Sequence, residues 1–290
     1  MELNAKLIAR TNSHGEASNS IKTIILIAAK QISIMLQYKF DILYWIFMPL
    51  LWVIPYIWLG NSLVSGGTSS AFEKYTGSSD YVGFLLIGSM LWSTIDSALW
   101  GAGNALRWEQ NSGTLEYLWV SPVSRTDILA GTSLGESLWV TCNIIGQFII
   151  VSIIFGWNIT ALNTILSFIA VIIMFIGMLG FGFLFASIIM IFKEPGVLTE
   201  LVDSFMFIVS PVRYPIEGLP TILRYIAVVL PFTWGAKIIR DLFLVNSSLI
   251  NIFRWFGILI IIDICMWMIG YRIFTAVEKR TRQTGKLGEY

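Results

Sequence analysis

The sequence predicts an all-α integral membrane protein: six transmembrane helices, an N-terminal amphipathic interfacial helix, a short cytoplasmic helix between spans 2 and 3, and short re-entrant helices between spans 5 and 6. Three observations predict it. The 290 residues are 56% hydrophobic and only 13% charged, with a mean hydropathy of +0.75, whereas a water-soluble domain carries about 25% charged residues. Six apolar segments approach the roughly 20 residues that a helix needs to cross a bilayer. Prolines cluster in one apolar stretch that is too short to cross.

The spans are expected at Phe40–Gly60, Tyr81–Ala105, Leu134–Gly156, Ile165–Phe192, Val197–Tyr214 and Ile252–Val277. Upstream of the first, Ile21, Ile24, Ile25, Ala28, Ile32, Met35 and Leu36 recur at helical spacing, interrupted by Lys22 and Lys30. That pattern predicts an amphipathic helix over Ser20–Tyr38 in the cytoplasmic interface, its lysines at anionic headgroups. The competing assignment is a seventh span. Residues 1–20 are polar and no apolar core with a small-residue cleavage site follows, so targeting is expected to rest on the first span. Between spans 5 and 6, Leu219–Pro231 is flanked by Pro215, Pro220 and Pro231, which breaks the helix and predicts a re-entrant element. The chain thus divides into a cytoplasmic N-terminal segment (1–39), a transmembrane domain (40–277) and a basic cytoplasmic tail (278–290).

Orientation follows from lysine and arginine in the connections. Lys74, Arg213, Arg224, Lys237, Arg240 and Arg254 fall on one side, and the other 13 of the 19 Lys and Arg residues on the side of both termini. Both termini are therefore expected in the cytoplasm, with the cell membrane as the location. The formal net charge of +1 gives no sign of nucleic-acid binding. The single histidine, His14, and two cysteines, Cys142 and Cys265, supply neither a zinc set nor a serine–histidine triad. No catalytic residue and no metal ligand is expected.

The most patterned polar stretch is RWEQNSGTLEYLWVSPVSRTDILAG, residues 107–131. Gly113–Val120 can form a short helix with Leu115, Leu118 and Trp119 as its apolar face. It breaks at Ser121-Pro122, because proline disfavours helix in the residue before it. A new helix is expected to start at Ser124, with Asp127 three residues on in a capping-box pattern. By physics alone, such a segment either docks onto another protein or lies on the headgroups. Glu109-x-x-x-Gly113-Thr114-Leu115-Glu116, then Ser121-Pro122 and Ile128-Leu129-x-Gly131, resembles the signature loop of the ABC-2 type exporter permeases, the drug, lipid and polysaccharide export branch. The resemblance implies a coupling helix that touches an ATP-binding subunit through Glu109, Gly113, Thr114, Leu115, Glu116, Leu118, Ser121 and Pro122.

A second stretch agrees. Ser210-Pro211-x-x-Tyr214-Pro215-x-Glu217-Gly218-Leu219-Pro220, then Leu230-Pro231-Phe232-Thr233 and Arg240, resembles that family's outer region, where short helices dip into the outer leaflet. No G-x-x-x-x-G-K-[ST] occurs, and the one Gly-Lys pair, Gly285-Lys286, is followed by Leu287. An ATP-driven reading therefore places ATP and magnesium on a separate cytosolic chain, with no cofactor on this one. The family resemblance also implies pairing with a second copy.

Polar residues inside spans are costly and mark a partner or a cavity. Ser89, Ser93, Asp96, Ser97 and Asn104 share a stripe of span 2, and Glu136, Asn143 and Gln147 one of span 3. Either Ser93, Asp96, Ser97, Asn104, Asn143 and Gln147 line a translocation path or dimer seam, or they bond helix to helix. Trp45, Trp52, Trp58, Trp92, Trp100, Trp108 and Trp139 fall mostly near span ends, as interface belts place them; the alternative is an aromatic track for cargo. Asp203 and Asp263 stand alone. Two other functions stay open: an ion-coupled carrier using Asp96, Glu136 or Asp263, and a membrane-embedded enzyme, for which no nucleophile–base pair is evident.

Overall fold

The computed structural model describes residues 2–63, 70–104, 113, 124–155, 160–192 and 195–283. Every regular element among them is helical. In chain order they are α1 (Glu2–Gln37), α2 (Lys39–Leu51), α3 (Ile54–Leu63), α4 (Ser70–Thr76) and α5 (Tyr81–Asp96), which continues as a π-helical turn, Ser97–Ala102. Then come α6 (Arg125–Phe155), α7 (Ala161–Phe192), α8 (Pro195–Val209), a 3₁₀ turn at Ile216–Gly218, α9 (Thr221–Val229), α10 (Pro231–Arg240) with a π turn at Asp241–Val245, and α11 (Leu249–Gln283).

Six stretches are long and apolar enough to cross a membrane: Ser20–Gln37, Lys39–Gly60, Tyr81–Gly101, Thr126–Phe155, Ala161–Phe192 and Leu249–Arg280. The number matches expectation, but one member differs. The fifth expected span, Val197–Tyr214, is a helix of only 15 residues, Pro195–Val209, about 22 Å at 1.5 Å per residue. Ser210-Pro211 ends it, since proline can neither donate to the preceding turn nor let the residue before it stay helical. Ser20–Gln37, expected as the interfacial helix, is long and apolar enough to cross in its place. The expected first span is one path broken in two: Pro49 sits inside α2, and the chain leaves helix between Leu51 and Ile54.

The four prolines between Ser210 and Phe232 all mark boundaries. Pro211 follows α8, Pro215 precedes the 3₁₀ turn, Pro220 caps α9 and Pro231 opens α10. Proline suits a first helical turn because its missing N–H would have no partner there. α9 and the Pro231–Val245 segment meet at 85°.

The core lies where α5, α6, α7, α10 and α11 converge, on fully buried Leu99, Ile95, Ala170, Met174, Phe232, Ile238 and Leu259. α7 and α11 are in backbone contact. A β-carbon on Gly270 would lie 2.0 Å from the Gly180 carbonyl oxygen, and one on Gly180 would lie 2.6 Å from the Trp267 nitrogen. Small residues permit such approach, and dispersion and backbone contacts then hold the pair.

On the opposite side, α1 and α2 climb along α6. Ser20 donates to Asp127 Oδ1 at 2.7 Å, and Gln31 Nε2 donates to Glu136 Oε1 at 2.9 Å. Between them the Gly131 and Gly135 faces receive Ile27 and Gln31. Contacts advance together along both chains, so α1 and α6 run in the same direction. The expected cap is present: Ser124 Oγ accepts from the Asp127 amide at 3.1 Å. The Asp127 carboxylate turns to Ser20 rather than back to its own helix end.

Candidate functional site: a cavity between four helices

A cavity of about 550 Å³ opens between α1, α2, α5 and α6. It lies at the end of the bundle where α5 and α6 lead into residues 105–123. α1 contributes Gln31, Ile34 and Met35; α2 contributes Asp41 and Trp45, with Tyr38 at the joint. The span 2 segment brings Ser93, Asp96, Ser97, Trp100 and Gly101, and α6 brings Thr132, Glu136, Trp139, Val140 and Asn143.

The π turn shapes this wall. Gly103 N–H reaches back five residues to the Ala98 carbonyl at 2.9 Å, so the Leu99 carbonyl loses its usual helical donor. Asn104 Nδ2 supplies one at 2.8 Å and also reaches Thr199 Oγ1 of α8 at 3.0 Å. Wider turns of this kind recur at functional positions. Here it sets Ser97, Trp100 and Gly101 against the cavity and turns Asn104 away from it.

The polar stripe read from the sequence therefore divides. Ser93, Asp96, Ser97 and Asn143 face the cavity, and Glu136 stands beside them. Asn104 and Gln147 do not; both bond between helices, Gln147 Nε2 to the Trp45 carbonyl at 3.0 Å. That carbonyl is the one whose helical partner would be the N–H of residue 49, and residue 49 is proline. Asn143 spends its Nδ2 on the Trp139 carbonyl at 2.9 Å, and Ser93 donates to Met90 O at 2.8 Å.

The electrostatics are one-sided. Glu136 and Asp203 are both close enough to Asp96 to repel its charge. Among the described lining residues there is no lysine, arginine or histidine. Three of the indoles expected near span ends, Trp45, Trp100 and Trp139, line the cavity. Span-end position alone cannot tell a belt from a cavity wall, because both sit where a helix meets a polar environment.

Of the expected coupling residues, Glu109, Thr114, Leu115, Glu116, Leu118, Ser121 and Pro122 lie outside the described residues. Gly113 is an exposed turn residue with φ +68°, a left-handed backbone that suits glycine.

The proline-rich end of the bundle is organised by Arg240, expected as a connecting-segment cation and as part of the motif that follows Leu230-Pro231. Arg240, 6% exposed, donates through Nη1 to Pro211 O at 2.7 Å. Its Nη2 reaches Phe84 O at 3.0 Å and Val212 O at 3.1 Å. Its guanidinium lies 3.4 Å from the Phe84 ring centroid. Arg213 lies between the Tyr56 and Phe207 rings, at 4.4 and 3.8 Å. A cation at an apolar, proline-rich end was the available signal, since it must find acceptors or an aromatic face.

Asp263, 3% exposed, has neither carboxylate oxygen bonded among the described residues and packs against Gly177.

No curated protein gives a significant match to this sequence. The model of the ABC-2 type transporter family matches residues 22–244, from α1 through the π turn that follows α10. With helices of membrane-spanning length around a cavity lined by carboxylates and indoles, that match establishes that the chain belongs to the ABC-2 type transporter family, as a multi-pass permease component.

Proposed function

We propose that this chain is the transmembrane subunit of an ATP-driven exporter that moves an amphipathic, drug-like, lipid-linked or polysaccharide cargo outward. The observation that carries the reading is the family match, joined to a cavity lined by the two helices, the Tyr81–Ala102 segment and α6, that flank the expected coupling loop in the chain. ATP and magnesium are held by a separate cytosolic subunit, docked on a coupling helix near Gly113–Val120. Its closure on ATP pushes α5 and α6, the two helices that share the cavity wall, and rocks the cavity between inward and outward access.

Two copies of the permease pair with two ATPase subunits in the cell membrane, with both termini cytoplasmic. The α1–α3 side exposes Phe40, Leu43, Trp52 and Trp58, apolar surface that lipid or the second copy would cover. The stretch Ser20–Gln37 lies at the cytoplasmic interface beside the first turns of α6, and the bend at Leu230 makes a re-entrant outer element.

Purification in mild detergent with the ATPase co-expressed tests this. A retained ATPase, and ATP-dependent transport lost on replacing Glu109 or Gly113, support it; no retention and transport indifferent to those changes overturn it. The ion-coupled carrier is the second reading, favoured by the unbonded carboxylate of Asp263. It requires Asp263→Asn to abolish transport and uncouplers to stop it.

A further inference from the structure

We propose that the cavity between α1, α2, α5 and α6 binds an amphipathic organic cation, its charge held among Asp96, Glu136 and Asp41 and its apolar body against Trp45, Trp100 and Trp139. That such a ligand is also carried outward rests on the exporter reading; the binding site rests on the geometry.

Size sets the ligand class first. A volume of about 550 Å³ falls within the range that encloses a drug-sized molecule and is far larger than a metal ion or ammonium needs. The wall is apolar and aromatic over most of its extent. Indole faces are the best of the aromatic side chains at attracting a desolvated cation.

Charge then sets the sign. Three carboxylates line the space and no basic side chain among the described lining residues answers them. Gln31 gives Glu136 one hydrogen bond at 2.9 Å. Asp96 has no hydrogen-bond or ion-pair partner among the described residues, and the like charges of Asp203 and Glu136 repel its own. A phosphate- or pyrophosphate-bearing ligand would add negative charge to this group without meeting a counter-ion. A neutral sugar could stack on the indoles but would leave the carboxylates unanswered in a low-dielectric space.

Two further groups are ready for a ligand. Ser97 is only 9% exposed, lines the cavity, and its hydroxyl has no partner among the described residues. Asn143 is 5% exposed; with Nδ2 bonded to its own helix, its carbonyl oxygen is left as an acceptor on the cavity side. Acceptors thus dominate the lining, which suits an ammonium or other cationic donor.

The test uses the full chain in phosphatidylcholine nanodiscs and two probes of the same shape and opposite charge, tetraphenylphosphonium and tetraphenylborate. Equilibrium dialysis against protein-free nanodiscs subtracts lipid partitioning. The proposal expects saturable binding of tetraphenylphosphonium and none of tetraphenylborate. Asp96→Asn combined with Glu136→Gln should weaken the cation at least tenfold, while Asp96→Glu keeps affinity within about threefold. In case the paired variant does not fold, a second measurement stands alone: tetraphenylphosphonium should slow alkylation of Ser97→Cys, followed on that peptide by mass spectrometry.

No saturable cation binding, equal saturable binding of both probes, unchanged affinity in a monodisperse paired variant, or unprotected Ser97→Cys overturns the proposal. The two readings fail separately. ATP-driven transport of another cargo without cation binding sinks this inference alone. Cation binding by a chain that never retains an ATPase sinks the exporter reading and leaves the site standing.

Discussion

Gln147 of α6 donates its side-chain amide to the carbonyl of Trp45 on α2, 3.0 Å away. The acceptor is free because Pro49, four residues on, has no N–H to give it. A buried glutamine and a helix-breaking proline on different spans thus form one unit. Gln147→Leu should cost about 0.6–2 kcal/mol, the scale of a single bond between membrane helices. In a Pro49→Ala background the backbone N–H returns, so the same substitution should become neutral or stabilising. Denaturation of the four variants in detergent measures the coupling; equal costs in both backgrounds would refute it.

Arg240 ties the end of α10 to the Pro211–Val212 turn and to Phe84 of α5 through three carbonyls. Arg240→Met removes charge-assisted bonds worth about 1.5–3 kcal/mol each when unshared, so a loss of at least about 3 kcal/mol is expected. Arg240→Lys should fall between, because an ammonium cannot reproduce the planar fork. Thermal midpoints in detergent order the three proteins, and a lysine variant as stable as wild type would count against this account.

The Gly180–Gly270 contact leaves no room for a side chain. Gly270→Ala should separate α7 from α11 and lower the melting temperature. Gly257 lies on the same helix with nothing within 4 Å of a built β-carbon, so Gly257→Ala should be neutral or gain up to about 1 kcal/mol of helix propensity. The pair isolates packing from propensity, and similar shifts from both substitutions would refute the packing argument.

Gly113 holds φ at +68°. Replacement by valine should cost about 1–2 kcal/mol locally, and asparagine, which tolerates this backbone, less. If the turn presents the coupling helix, ATPase retention should fall in the order glycine, asparagine, valine while the melting temperature of the bundle stays constant. A fall in stability parallel to the loss of retention would assign Gly113 to the fold instead.

Much of this molecule was legible from residue order because it depends on local chemistry. Helical spans follow from runs of apolar residues that must satisfy their own backbone in lipid. Pro211, Pro215, Pro220 and Pro231 mark helix boundaries because proline lacks an N–H, and Ser124 caps α6 because its hydroxyl can accept from the Asp127 amide. The fifth expected span, Val197–Tyr214, overran the boundary that Pro211 marks, because its apolar run continues up to the proline that ends the helix at Val209.

The sequence by itself determined that Ser93, Asp96, Ser97, Asn104, Asn143 and Gln147 are polar groups at membrane depth. Only the tertiary structure decided that four of them line a cavity and that Asn104 and Gln147 satisfy carbonyls released by a π turn and a proline. A buried amide carries the same local signature whether it faces a void or an unpaired carbonyl. For Gln147 the answer depends on the helix standing opposite at the same height, a property of packing between segments about 100 residues apart in the chain; for Asn104 it depends on the π turn five residues back in its own segment.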